Sequence, residues 1–178
     1  MSEHARKFVE YLQALKSQNT GATAVLRHSL TFAPGADPKS FPYVERFVGH
    51  DWHERDARRL ALYAVAGLFA RHPEQRSQSF AASLGELMRR RDSQSIEKRF
   101  IALLGADAEN LVDYLRQTIS LLAADSIGCD YVALLDDLSV WLNPFADPDR
   151  RDHLRQKWAR DFYRTLNLET PSETETLQ

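Results

Sequence analysis

Residues 58–72 read RRLALYAVAGLFARH, and the eleven positions Leu60–Ala70 within them carry no charge. Leu60, Tyr63, Ala64, Gly67 and Leu68 fall on one side of a 3.6-residue helix, while Leu62, Val65 and Phe69 fall on the other. A helix that is apolar on both sides has neighbours all round it. This segment is therefore the expected spine of the fold. Ahead of it, Asp51 and Glu54 have the spacing of a capping box, with Asp51 as N-cap and Glu54 reaching back from the third helical position. Pro73 ends the run. The spine helix is predicted from Asp51 to about His72.

Helical periodicity continues outward in both directions. Phe8, Leu12 and Leu15 form an i, i+4, i+7 stripe, and a second helix is expected from Thr20 or Gly21 to about Phe32, burying Val25, Leu26 and Leu30. Four helix breakers, Pro34, Gly35, Pro38 and Pro42, then mark a long loop where a partner has room to bind. A short helical turn is expected at Tyr43–Val48. Beyond the spine, helices are predicted at about Ser79–Arg91, Ser95–Leu104, Ala108–Ala124 after an Asp107 N-cap, and Tyr131–Leu142. Asp147 followed by Pro148 is an N-cap with proline at the first helical position, opening a last helix to about Leu166. No run alternates with period two long enough for a strand. The expected fold is all-α, a bundle of about nine helices in one domain over 1–166. Residues 1–92 and 93–166 are candidate sub-bundles, and 167–178 form a polar tail.

Composition narrows the class. The chain has 178 residues, of which 43% are hydrophobic and 27% charged, as expected for a globular domain with a core. Cys129 is the single cysteine, which excludes an intrachain disulfide and fits a reducing compartment. The N-terminal residues carry charges every few positions and lack the apolar run of a signal peptide. No uncharged stretch approaches the ~20 residues of a membrane span. A cytoplasmic protein is expected. Formal net charge is −2, yet the charge is unevenly placed. Residues 1–100 hold 16 Lys/Arg against 11 Asp/Glu, residues 101–149 hold Arg116 against nine acids, and residues 150–178 hold six basic against five acidic residues. Such a division is compatible with one basic surface on a near-neutral protein.

Catalytic patterns are absent from the sequence: no phosphate-binding glycine loop, no nucleophile elbow and no metalloprotease helix motif. Asp136 and Asp137 are neighbours in sequence, but adjacent helical residues point 100° apart, unsuited to shared acid–base work. Cys129 lies beside Asp130, which raises a thiol pKa instead of activating it. His50, His53, Glu54 and Asp56 lack further ligands at zinc spacing, and capping accounts for the acids. No cofactor or metal is implied.

The cations are more informative. In the last helix Leu154, Trp158 and Phe162 form the buried stripe, while Arg150, His153, Lys157, Arg160 and Arg164 line another face. Arg151 and Arg155 flank the apolar stripe. Such a line matches a polyanion with charges repeating along a backbone, or else it is a solvated face in which Asp161 pairs with Lys157 or Arg164. Arg89, Arg90 and Arg91 close one helix, where they complement its negative end. Lys98 and Arg99 stand early in the next, against the dipole. Arg116 is open to a salt bridge with Asp113, and Arg27 precedes the proline-rich loop. Among the aromatics, Trp141, Trp158 and Phe162 are expected in the core, with Trp52 and Tyr163 more open.

Taken in order, GATAVLRHSL, APGADPKSFPYVERFV, RRLALYAVAGLFARHP, SLGELMRRR, SIEKRFIALLGAD, LVDYLRQTISLL, YVALLDDLSVW and RRDHLRQKWARDFYR resemble the CasB family over about residues 5–165. CasB is the small subunit of the type I-E CRISPR surveillance complex, Cascade. The resemblance implies a compact helical, non-catalytic protein present in two copies per complex, between the large subunit and the backbone subunits. It implies that a basic surface holds the guide RNA–target DNA hybrid and the displaced strand, stabilising the R-loop, while a separate nuclease-helicase cleaves. Carried over by motif, the nucleic-acid-binding residues are Arg27, Arg89, Arg90, Lys98, Arg99, Arg116, Arg151, Arg155 and Lys157. His28 stands where a second arginine is common in the family. Implied partners are the other Cascade subunits, a second copy of the chain, guide RNA and target DNA. The competing reading is a helical adaptor whose basic faces meet acidic protein surfaces.

Overall fold

The computed structural model describes residues 2–168. Among these the chain folds into nine α-helices, two 3-10 turns and a single isolated β-bridge. The helices are α1 (Glu3–Gln18), α2 (Thr20–Ser29), α3 (Phe41–Val44), α4 (Ala57–Arg71), α5 (Phe80–Arg91), α6 (Gln94–Leu104), α7 (Leu111–Ala124), α8 (Tyr131–Trp141) and α9 (Pro148–Leu166). The all-α expectation holds. Of the predicted polar tail, Asn167 and Leu168 are exposed, and its remainder lies outside the described residues.

The spine is α4. Every residue from Ala61 to Ala70 is buried, with α2, α7 and α8 packed around it. Its start differs from the sequence expectation. Asp56, not Asp51, is the N-cap, and its carboxylate accepts from the Arg58 amide at 2.9 Å. The same carboxylate pairs with the Arg58 guanidinium at 2.7 Å. His53 Nδ1 accepts from Arg55 N–H at 3.2 Å, so residues 51–55 are drawn into turns instead of a helical first turn.

One other start and one end also shift. Asp107 Oδ1 accepts from both the backbone and the side-chain amide of Asn110. This closes a turn ahead of α7, which begins three residues later than expected. The second helix ends at Ser29, because the amides of Leu30, Thr31 and Phe32 tighten onto the carbonyls of Arg27, His28 and Ser29. Val25 is half-buried, whereas Leu26 and Leu30 are buried as expected. The turn expected at Tyr43–Val48 is present as α3 and the 3-10 turn Glu45–Phe47.

The largest helix–helix contact joins α5 to α9, and Gly85 explains it. A Cβ there would lie 2.4 Å from the Phe162 carbonyl oxygen, so only glycine lets the two backbones approach this closely. At the same junction the Phe100 and Phe162 rings stack with centroids 4.1 Å apart, which brings α6 against α9. Phe80 and Trp141 lie against Trp158. The connectors after α4 and α7 meet through the Gln75–Cys129 bridge, with Arg76 N–H donating to the Cys129 carbonyl at 3.0 Å. One hydrophobic cluster takes residues from α1 through α9.

Candidate nucleic-acid interface

The nine residues expected to meet nucleic acid fall, by their contacts, into three groups. In the first, Arg27 of α2 donates from Nε to the Ala70 carbonyl at 3.2 Å, neutralising the negative end of α4. The adjacent Arg71 donates to Ser120 Oγ at 2.5 Å, and that hydroxyl bonds back to the Arg116 carbonyl. Arg116 itself pairs with Asp113 at 3.3 Å, one turn away on α7. Arg71 thus links α4 to α7 beside two predicted residues, a role that no local pattern announces.

The second group surrounds the ends of α5 and α9. Arg89 donates to the Thr165 and Leu168 carbonyls, Arg90 pairs with Glu86, and Arg91 forms a two-pronged bond with Asp125. The three consecutive arginines therefore serve three different partners. On α6, Lys98 and Arg99 are exposed and have no ion-pair or hydrogen-bond partner among the described residues. Tyr163 donates to Glu97 at 2.8 Å, setting the first turns of α6 beside the last third of α9. Asp161, expected near Lys157 or Arg164, instead accepts from Ser79 Oγ at 2.8 Å.

The third group lies on α9, split between two flanks of its buried stripe. Arg155 pairs with Asp152 at 3.3 Å and sits over the Trp141 ring at 5.6 Å. Its Nε is buried without an acceptor. Arg151 is half-buried and has no partner among the described residues. Lys157 lies on the far flank, 3.3 Å from Asp137 of α8. Burial raises the Asp137 carboxyl above its ordinary value, partly offset by its bonds from Trp158 and Lys157.

Six of the nine predicted residues are thus already engaged inside the fold. The helical stripe marked on α9 is a better candidate. Arg150, His153, Lys157 and Arg160 line one open groove of about 570 Å³ with Val140 and Leu154. Val140 and Arg150 are shared with a second groove of about 760 Å³, which His53, Arg55, Arg58 and Phe145 also line. Together the two form one furrow. Asp149 and Asp56 are its carboxylates, and Asp56 is held below the usual range by its hydrogen bonds to Arg58. The guanidinium groups of Arg55, Arg150 and Arg160 have no partner among the described residues. A third groove, of about 670 Å³, shares Arg55 and Pro144 and reaches the proline-rich loop at Pro34 and Gly35. Arg55, His53 and Phe145 were not marked as nucleic-acid-binding candidates from the sequence: His53 was weighed only as a metal ligand, His53 and Arg55 were read into the first turn of the spine helix, which begins only at Ala57, and Phe145 lies in the turn before α9.

The cysteine and the adjacent carboxylates Asp136 and Asp137 are held within the fold. Cys129 is buried, and desolvation raises its thiol pKa, with Asp130 adding to the effect. Asp136 accepts from Ser2 while Asp137 accepts from Trp158, so the adjacent carboxylates face different elements. Trp141, Trp158 and Phe162 are buried, whereas Tyr163 is exposed and Trp52 half-buried. No helix among the described residues is long and apolar enough to cross a membrane.

Fold and surface together define an all-helical protein with a furrow lined by cations along its last helix. The chain belongs to the CRISPR-associated protein Cse2 family, whose model matches residues 22–163. It is 38% identical over 162 residues to the CRISPR-associated protein Cse2 of Thermus thermophilus, covering 88% of each chain. The crystal structure of CasB from Thermus thermophilus superposes with a TM-score of 0.75 at 38% identity, covering 92% of this chain and 99% of that one. A chain in a CRISPR RNA-guided surveillance complex superposes with a TM-score of 0.76 at 25% identity, covering 92% of this chain and 94% of that chain.

Proposed function

We propose that this chain is the non-catalytic small subunit of a CRISPR RNA-guided surveillance complex, and that it stabilises the R-loop by holding nucleic-acid backbone. The observation that carries this reading is the furrow along α9, where Arg150 and Arg160 stand unpaired beside Lys157 and His153. Guide pairing supplies sequence specificity in such complexes, so a subunit needs only phosphate contacts and a groove. Exchange of a DNA duplex for a guide hybrid is nearly balanced, and a few backbone contacts tip it. The partners on this reading are the large and backbone subunits, a second copy of the chain, guide RNA and target DNA. A cytoplasmic site suits the lone buried thiol of Cys129.

Lys98 and Arg99 form a second contact point at the α5–α6–α9 corner. Arg27, Arg89, Arg90, Arg116, Arg151, Arg155 and Lys157 are retained as candidates of lower weight. All but Arg151 would have to share or exchange an internal partner to reach phosphate. The adaptor reading draws on that same observation, since cations already facing carboxylates do not call for a polyanion.

The test is R-loop retention in complexes assembled with the double variant R150E/R160E. Faster R-loop loss with intact assembly, for every target sequence alike, is the expected result. Unchanged retention with intact assembly favours the adaptor.

A further inference from the structure

Phe145 is 93% exposed, more than any other large hydrophobic residue described. Single exposed apolar side chains are ordinary, but this one is held out by its surroundings. Asn143 Oδ1 accepts from the Phe145 amide at 3.0 Å, and the Asn143 carbonyl accepts from Ala146 N–H at 3.1 Å. Pro144 fixes its own φ, and the turn is anchored by buried Leu142 on one side and buried Ala146 on the other. The ring is therefore presented by a braced turn at the lip of the 760 Å³ groove. That volume lies within the range of small-ligand pockets, enough for a nucleotide unit.

Its surroundings select the occupant. Val140, Pro144 and Ala146 give an apolar lining, and Arg55 and Arg150 supply charge unmatched among the described residues. A peptide of acidic residues alone would satisfy the arginines and leave the phenyl ring idle. A duplex would present phosphates with its base faces hidden. A single strand offers both, alternating anionic phosphates with flat apolar bases that stack on aromatic rings irrespective of sequence. We propose that Phe145 is a stacking platform for an unpaired base of a single strand whose phosphates lie on Arg55 and Arg150. The proposal rests on the nucleic-acid reading above and adds to it a contact with a base.

The experiment titrates the full chain at low salt with a labelled oligothymidylate and with the same strand carrying abasic sites. The wild-type protein is expected to favour the base-bearing strand by about tenfold. F145A is expected to erase that preference, leaving abasic binding and the salt dependence unchanged, and F145W to restore it. R150E is expected to weaken both strands and to flatten the salt dependence. Because the ring is so exposed, F145A has little folding contact to lose. An unaltered base preference in F145A overturns the stacking proposal, even if R150E shows that the furrow binds strands. Indifference of both strands to R150E, or no strand binding by the wild-type chain, overturns the nucleic-acid reading together with it. If F145A binds strands normally but fails to enter the complex, the ring is a protein anchor and the proposal falls.

Discussion

The Asp137 carboxylate accepts the indole N–H of Trp158 at 2.7 Å through one oxygen, while the Lys157 ammonium stands 3.3 Å from the other. One carboxylate thus ties α8 to the buried stripe of α9 and also restrains a cation at the edge of the furrow. The core and the candidate site meet at this residue.

A pH signature follows from it. Burial, the largest influence, raises the Asp137 pKa above its ordinary 3.8, so the folded chain holds this proton more tightly than the unfolded chain. Its contribution to stability is therefore greatest at acid pH and is lost as pH rises through the raised folded value. Asp56 and Asp125, lowered by Arg58 and Arg91, act with the opposite sign. Comparing D137N with wild type cancels them. Urea unfolding across pH 4 to 8 should show the stability of D137N relative to wild type falling as pH is lowered. A difference that does not vary with pH would mean that Asp137 titrates normally.

Gly85 should be intolerant of a side chain. Its Cβ position is 2.4 Å from the Phe162 carbonyl, a backbone atom that moves only if α9 moves. G85A is expected to destabilise by about 1–3 kcal/mol, in the range of overpacked cores. The urea midpoint should fall while the slope of the transition stays constant. An unshifted midpoint would show that α5 and α9 approach less closely than described.

Glu45, in the 3-10 turn Glu45–Phe47 that follows the proline-rich loop, ties that turn to α4. Its Oε1 accepts from Tyr63 Oη at 2.5 Å and from Arg59 Nη2 at 2.6 Å, and the Arg59 side chain is only 12% exposed. Burial first, and then Glu45, raise the Tyr63 phenol pKa well above the ordinary range. E45A should cost about 1–3 kcal/mol by leaving the guanidinium poorly matched, and Y63F about 0.5–1.5 kcal/mol. Thermal unfolding of both variants checks the order, which reverses if the phenol rather than the ion pair secures the turn.

Among the cations, internal partners predict rank. Arg99 is free among the described residues, whereas Arg90 faces Glu86. R99A should flatten the dependence of log K on log salt by about 0.7 if the contact is to single-stranded phosphate. R90A should leave it nearly unchanged. Equal effects would show that the Glu86 pair opens on binding.

Much of the fold was legible because local rules and tertiary packing agree. The Asp147–Pro148 start of α9, the charge-free spine and the α9 stripe all rest on spacing within one helix. The misread starts differ in cause: Asp56 caps α4 in place of Asp51, whereas Asp107 accepts the Asn110 amide as a cap would, but residues 108–110 close a turn before α7 begins. The site was less legible. Arg27 and Arg89 bond to carbonyls 43 and 76 residues away, partners that no wheel displays. Arg55 and Phe145 lie on irregular segments and join the furrow only because the segment before α4 and the turn before α9 line the same groove.

The central claim is that an unpaired basic furrow along α9 holds nucleic-acid backbone, and salt dependence tests it most directly. R-loop dissociation should be measured from 50 to 200 mM salt in complexes carrying either the wild-type chain or R150E/R160E. The account predicts faster loss and a shallower salt dependence for the variant, by about 0.7 per phosphate contact removed from a single strand, with no change across target sequences. Identical slopes and lifetimes, with the variant fully incorporated, would contradict it.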